Sequence, residues 1–222
     1  MSADSGLSTF RDSGGLWEGH DIEDVATVRG WKKDPERVLD FYNKRRKQSG
    51  EATPNKGHKA LAELEDYFDV SIITQNVDDL HERAGSSQVL HLHGKLSEAR
   101  SSRDPDQVID IGSDPIDVGD KAEDGSQLRP NVVWFGEAVP NIEPASAMVS
   151  QADLMAVIGT SLVVYPAAGL IDFAKPEIPK FIVDPSQPQI QLGDKWTYIP
   201  KPAKTGVPEL KKILISKFSK DD

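Results

Sequence analysis

Short apolar runs recur along the chain, separated by stretches whose apolar positions repeat at helical spacing. The runs at residues 70–74 (VSIIT), 88–93 (QVLHLH), 131–134 (NVVW), 154–158 (LMAVI) and 180–184 (KFIVD) read as strands. They are nearly continuous in apolar character, as expected of strands covered by helices on both faces. Between them, Asp34 and Pro35 mark a helix start, with Val38, Leu39 and Tyr42 on one face. Asn55 caps a second helix whose stripe is Leu61, Leu64 and Phe68. A third, suggested by Leu170, Phe173 and their neighbours, follows Pro166. The last is expected to begin near Val207 and Pro208, burying Val207, Leu210, Leu214 and Phe218, with Lys211, Lys212 and Lys217 toward its C-terminal end. Strands alternating with helices predict an α/β fold with a Rossmann-like parallel sheet.

Two regions break this rhythm. Residues 18–54 are polar and helical, and residues 98–127 are rich in acids, Gly and Pro. Together they predict a small helical and loop lobe inserted into a main domain made of residues 1–17, 55–97 and 128–222. Val108, Ile109, Ile111, Ile116 and Val118 are expected to pack the acidic part, with turns at Gly112 and Gly119. Calcium binding is the sharper reading of its acids. However, the spacing of Asp104, Asp106, Asp110, Asp114 and Asp117 does not match an EF-hand loop.

Composition narrows the function. The 222 residues carry 36 acids against 26 bases, a formal charge of −10, so nucleic acid is not an expected partner. No run approaches the roughly 20 apolar residues of a membrane span, and the first residues show no basic start or apolar stretch. No membrane partner and a cytoplasmic location are therefore expected. With no Cys and only five His, neither a disulfide nor a closed tetrahedral zinc site is expected.

Four motifs carry candidate chemistry. Residues 74–81 (TQNVDDLH) follow a strand, where open α/β sheets bind ligands; Asp78 there is either a ligand group or a helix cap. His91 and His93 share a face if they lie on a strand. They read as packed and turn histidines, as two of three metal ligands, or as a site holding a catalytic base. Residues 158–161 (IGTS) offer small groups to a phosphate or ribose, or simply a turn with Ser161 as cap. Residues 131–137 (NVVWFGE) form either a core strand and turn or an edge that pairs with an extended peptide.

The order and spacing of these motifs resemble one family. Residues 2–11 (SADSGLSTFR), 15–17 (GLW), 54–61 (PNKGHKAL), 74–78 (TQNVD), 92–94 (LHG), 133–137 (VWFGE), 159–162 (GTSL) and 203–208 (AKTGVP) are similar to those of bacterial-type sirtuins, NAD-dependent protein lysine deacylases. The resemblance covers essentially the whole chain. It implies NAD as cofactor and acylated lysine side chains of proteins as substrates, acted on by a monomer. It implies His93 as the general base, acting through the nicotinamide-ribose hydroxyls, and His91 as a packing residue. Gln75 and Asn76 would hold that ribose, and Asp78 with Val77 would hold the nicotinamide carboxamide. Ser2 and Ala203 would border the cofactor, while Phe10 and Arg11 would belong to a loop closing over it. Gly159, Thr160, Ser161 and Asp184 would contact the adenosine half. Val133, Phe135 and Gly136 would border the acyl-lysine channel and pair with the peptide backbone.

Tyr42 and Arg45 match the Tyr-x-x-Arg pair of members that remove succinyl and malonyl groups, and imply removal of both acetyl and dicarboxylic acyl groups. The solvated basic run Lys44–Lys47 is the bland alternative. Three departures stand out. The apolar strand and Gly-Ala-Gly turn that the family places before these motifs are not in the sequence, the four zinc-binding Cys are absent, and the insert that carries them is acidic. A degenerate protein that holds a nucleotide or acyl peptide without turnover is the rival reading. An ordinary oxidoreductase is the weaker one, because no Gly-rich turn supports it.

Overall fold

The computed structural model describes residues 1–7, 16–17, 19–160, 162, 164–187 and 192–219. Phe10, Arg11 and Ser161 lie outside the described residues. The chain opens with a 3-10 turn, Ser2–Ser5, and a two-stranded antiparallel ribbon of β1 (Leu16–Trp17) and β2 (His20–Asp21). Three helices follow: α1 (Ile22–Val25), α2 (Val28–Lys33) and α3 (Pro35–Glu51). The Asp34 side chain accepts the Arg37 N–H at 3.0 Å, and Pro35 sits where its missing N–H leaves nothing unsatisfied. Helix α4 (Lys56–Ala62) starts at Asn55, whose Oδ1 accepts the Gly57 N–H at 2.8 Å while His58 Nδ1 accepts the Asn55 N–H at 3.2 Å.

Strand β3 (Ile72–Thr74) runs parallel to β4 (Val89–His91), with the short α5 (Leu80–Arg83) between them. Next come β5 (Gly94–Ser101), β6 (Val108–Asp110) and β7 (Leu128–Val132), an antiparallel sheet ordered β6-β5-β7. Helix α6 (Ile142–Gln151) leads to β8 (Met155–Ile158), a 3-10 segment Ala167–Phe173, β9 (Lys180–Val183), β10 (Trp196–Ile199) and α7 (Ala203–Phe218). Strands β8, β9 and β10 are parallel, in the order β10-β9-β8.

Helices cover both faces, as the apolar strands require. On one face, Leu61 and Leu64 pack with Val207, Leu210 and Leu214 of α7 against Ile72, Phe181 and Val183. On the other, Ala145 and Val149 of α6 pack with Leu92, Leu170 and Ile178. The helical lobe has its own core of Val25, Val38, Phe41, Tyr42, Leu96, Val132 and Trp134.

Several expectations are corrected. Helix α7 begins at Ala203, not near Pro208, because the remote Asp4 carboxylate accepts the Lys204 N–H at 2.9 Å and fixes an earlier start. Phe218 is exposed rather than buried. Val108, Ile109 and Val118 do not pack the acidic lobe: Val108 and Ile109 are 41% and 44% exposed on the edge strand β6, and Val118 is 63% exposed in the loop beyond it. Ile116 does pack, in a cluster with Leu39, Ala99 and Leu128 that Ile111 joins, and its backbone N–H and C=O both bond to the Asn43 side chain at 2.9 Å. The acids there close turns: Asp104, Asp110, Asp120 and Asp124 accept the N–H groups of Asp106, Gly112, Asp117 and Ser126. Strand β5 straddles residue 98, so the antiparallel sheet ties the expected insert to the segments on either side.

Among the described residues the parallel strands pair in two groups. Strand β3 pairs with β4 and β8 with β9, and the remaining edges of β3 and β8 line a single cleft of about 1420 Å³. At its carboxyl end the cleft is bridged by Gln75 Nε2, which donates to Thr160 Oγ1 at 3.4 Å.

One feature of the fold sets its pH response. His58 and His81 are fully buried with ring centroids 4.9 Å apart. Burial, and for His58 the neighbouring His81, pull their pKa values from 6.5 to about 3 and about 4. The unfolded chain therefore binds more protons than the folded one between about pH 3 and 6.5. Stability from this pair is complete above pH 6.5 and is lost as pH falls through that window. The urea midpoint is expected to drop between pH 7.5 and pH 5; an unchanged midpoint would contradict the pairing of two neutral rings.

Candidate functional site

The site lies at the carboxyl ends of the parallel strands, where open α/β sheets form ligand crevices. Every described residue assigned above to cofactor, substrate or catalysis lines the 1420 Å³ cleft. Ser2, Gln75, Asn76, Val77, Asp78, Gly159, Thr160, Asp184 and Ala203 come from strand ends and the chain start. Tyr42 and Arg45 come from α3, and Val133, Phe135 and Gly136 from the segment after β7.

His91 and His93 do not share a face, because β4 ends at His91 and His93 sits in the turn that follows. His91 Nδ1 faces the Asn76 carbonyl at 3.1 Å and Nε2 faces Glu82 Oε1 at 2.8 Å. Both ring nitrogens are thus engaged by neighbouring groups, and the ring is held in place. Burial alone would raise the Glu82 pKa, but the His91 bond overrides it and holds the carboxyl at about 2.

His93 is different. Its Nδ1 lies 3.1 Å from the Gln75 carbonyl, which can only accept, so Nδ1 carries the proton and Nε2 keeps the lone pair. Burial lowers its pKa, and the Gln75 bond raises it in part, so the ring is neutral at pH 7. The His93 carbonyl accepts the Val133 N–H at 2.9 Å, which ties the ring to the expected substrate-binding segment.

The turn after His93 depends on Gly94. Its φ is +76°, and a Cβ there would sit 1.9 Å from the Asn131 carbonyl oxygen. Gly94→Ala combines left-handed strain with a backbone clash, so it is expected to cost about 2–5 kcal/mol in denaturant unfolding. An unchanged midpoint would mean that this close approach is not required. Gly159 has φ +62°, and a Cβ there would meet the Met1 nitrogen at 3.0 Å, so strand β8 and the chain start approach closely.

Around them the polar groups are already ordered. Asn76 Nδ2 donates to Ser2 Oγ at 2.8 Å, and Asn55 Nδ2 donates to Ser5 Oγ at 3.0 Å. Asp78 is buried, and Oδ1 accepts the Leu80 N–H at 3.2 Å, so the capping role is real and occupies one oxygen. Burial raises the Asp78 pKa, opposed by the Ser2 hydroxyl and the Leu80 N–H. Asp184 is buried and accepts the Ser186 N–H at 2.9 Å. This set of amides, hydroxyls and carboxylates at strand ends fits the ribose, carboxamide and phosphate groups of a dinucleotide.

The acyl-lysine side of the cleft is aromatic. Tyr42 is fully buried, and its hydroxyl accepts from Trp134 Nε1 at 3.1 Å. Burial pushes the phenol well above its usual value, so it stays protonated and keeps a hydrogen to donate. The Arg45 guanidinium lies 5.9 Å from the Phe41 ring centroid. The Phe135 N–H bonds to the Ala26 carbonyl at 3.0 Å, and Val133 to His93, so these two N–H groups serve the fold rather than a peptide.

One residue escaped the motif reading. Glu137 accepts from Arg129 at 2.8 and 3.0 Å, from Arg100 at 3.2 Å and from the Trp134 N–H at 2.8 Å. Burial opposes ionisation, but these partners lower its pKa, so a buried carboxylate clamps the loop 134–137. Its neighbourhood to Phe135 and Gly136 was visible; its two arginines come from β5 and β7 and could not be read locally.

Known proteins are similar to this chain over most of its length. A profile of the Sir2 family matches residues 1–166. A protein of Helicobacter pylori named NAD-dependent protein deacylase is 53% identical over 219 residues, 99% of this chain and 95% of its own length. A solved Sir2 homologue in complex with NAD has a TM-score of 0.86 and 38% identity, covering 98% of this chain and 87% of its own. A Sir2 protein solved with a deacetylated p53 peptide and 3'-O-acetyl-ADP-ribose has a TM-score of 0.75 and 29% identity, covering 98% of this chain and 89% of its own. The chain belongs to the Sir2 family, the sirtuins.

Proposed function

We propose that this protein is an NAD-dependent protein lysine deacylase that removes acetyl groups and, through Tyr42 and Arg45, succinyl and malonyl groups. The observation that carries this reading is the neutral His93 ring, aimed by the Gln75 carbonyl, in one cleft with both residue sets. The relatives' names support the NAD-dependent deacylase reading, and the peptide-bound neighbour supports an acylated protein segment as substrate.

Bound NAD supplies a positively charged nicotinamide that leaves neutral, exposing a ribose carbon to the weakly nucleophilic acyl oxygen. Asp78 and the Val77 backbone would orient the carboxamide, and Gln75 and Asn76 would hold the ribose hydroxyls. His93 Nε2, its lone pair free, would serve as the base toward a ribose hydroxyl, with the Gln75 carbonyl holding the ring's other nitrogen. Gly159, Thr160 and Asp184 receive the adenosine half. Val133, Phe135 and Gly136 border the lysine stem, with Glu137 holding that border in place. At the far end of the acyl chain, the Tyr42 hydroxyl donates a hydrogen bond and Arg45 pairs with a terminal carboxylate.

A second reading has a specific observation behind it. The unpaired edges of β3 and β8 face one cleft, so the cofactor crevice is built on a divided sheet. A protein that holds nucleotide or acyl peptide without turnover fits that division. The two readings part in a mass-spectrometric assay of matched acetyl- and succinyl-lysine peptides with and without NAD. A parallel sample would carry an added apolar strand and Gly-Ala-Gly turn ahead of residue 1. NAD-dependent loss of both acyl groups supports the enzyme. Peptide or nucleotide binding without acyl loss in either sample would overturn it.

A further inference from the structure

Behind the cleft lies a second cavity of about 300 Å³, at the junction of α3, the segment after β3 and the acidic lobe. Val77, Leu96 and Ser49 line both, so the cavity backs directly onto the wall of the candidate active site. Arg46 lines it and is only 2% exposed. Its Nε donates to the Leu96 carbonyl at 2.6 Å and Nη1 to Asn43 Oδ1 at 2.7 Å, both neutral acceptors. Its Nη2 is buried with no hydrogen-bond partner among the described residues. A buried guanidinium ordinarily has a carboxylate partner, because an uncompensated buried charge is costly.

A second guanidinium, Arg83, lines the same cavity. It donates to the carbonyls of Ser49 at 3.0 Å and Ala52 at 2.5 Å, and to Asp79 Oδ1 at 3.4 Å. Ser97 and Ser113 add two hydroxyls, and Asp79 is the single carboxylate in the lining. Two fixed cations against one anion leave a local positive excess, on a chain whose formal charge is −10. Burial pulls the Arg46 pKa down to about 10, consistent with a guanidinium that lacks a counter-charge.

We propose that this cavity binds a small oxyanion, a phosphate or the carboxylate of a short organic acid, between Arg46 and Arg83. Guanidinium pairs with serine hydroxyls beside them match the planar, multiply accepting geometry of such ions. Apart from Val77, its lining is distinct from the residues assigned to cofactor and acyl-lysine, so the ion would not occupy the substrate's place.

The test is calorimetric titration and thermal unfolding of the full chain with sodium phosphate and, separately, sodium succinate, each at ionic strength matched with sodium chloride. A saturable response to either ion is expected, with the midpoint raised by about 3–5 °C at ten times the dissociation constant. A response to one ion alone identifies the source. Ser113 is exposed, so Ser113→Glu brings a tethered carboxylate to the rim without disturbing the core. That variant is expected to lose the response, and so is Arg46→Met if it folds. No response beyond the chloride control would overturn the proposal. So would a response retained in Ser113→Glu, which would place the ion in the nucleotide cleft instead.

Discussion

Replacing His93 by alanine is expected to bring deacylation down by roughly 10²–10⁴-fold, the usual contribution of a positioned general base, while the thermal midpoint stays within a few degrees. The site explains both halves. His93 is in the cleft, and its one side-chain bond, to the Gln75 carbonyl, aims the ring rather than holding the core. His91 is the internal control. It is buried, bonded on both nitrogens, and holds Glu82 and the Asn76 backbone, so His91→Ala is expected to lower stability as well as activity. The pH profile adds a sign. Burial lowers the His93 pKa, so the base form persists below the ordinary histidine range, and activity is expected to fall only as acid protonates the ring. Full activity in His93→Ala would remove His93 from the mechanism.

The second large effect is one of selectivity. Arg45→Met is expected to lower desuccinylation about ten- to a hundredfold while deacetylation changes several-fold at most. The magnitude follows from a charge-assisted hydrogen bond of about 1.5–3 kcal/mol in a partly desolvated site. Arg45 is 7% exposed and lines the cleft with Tyr42, one helical turn away on α3. The residues on either side behave differently. Lys44 pairs with Asp40 on the solvated face, and Lys47 is exposed, so the basic run is not a single surface feature. Arg46 faces the neighbouring cavity. Equal loss of both activities in Arg45→Met would mean that Arg45 supports the helix rather than the acyl carboxylate.

What could be read from the chain was local. The start of α3 is written in Asp34 and Pro35, and that of α4 in Asn55, because a cap needs only its own neighbours. The apolar strands β3, β4, β8 and β9 stand out because helices cover both their faces. What escaped was set by distant partners. Strand β5 alternates weakly, and its register comes from β7. Strand β10 reads Trp-Thr-Tyr-Ile, a half-buried alternation that was legible but short. Helix α6 was missed although Ile142, Ala145 and Val149 stand at helical spacing, so distant partners were not its reason. The start of α7 was not, since its capping acid, Asp4, lies some 200 residues away.

The site divides along the same line. The residues now found in one cleft were named by motif, which marks strand ends well. The distinct environments of His91 and His93 were not legible, because they depend on where β4 ends and on which acceptors α5 and the 75–76 backbone present. The Glu137 clamp required the β5–β7 pairing that brings Arg100 and Arg129 together. The burial of Tyr42 and Arg45 likewise followed from the packing of α3 on Trp134, not from the helix alone.

The most direct measurement of the central claim is product stoichiometry. The full chain would be incubated with NAD and a succinyl-lysine peptide, and nicotinamide, free-lysine peptide and O-succinyl-ADP-ribose quantified by mass spectrometry. The account predicts equal amounts of all three, with deacylated peptide and O-succinyl-ADP-ribose down by roughly 10²–10⁴-fold in His93→Ala. Nicotinamide release without acyl transfer to ADP-ribose, or peptide deacylation that does not consume NAD, would contradict it.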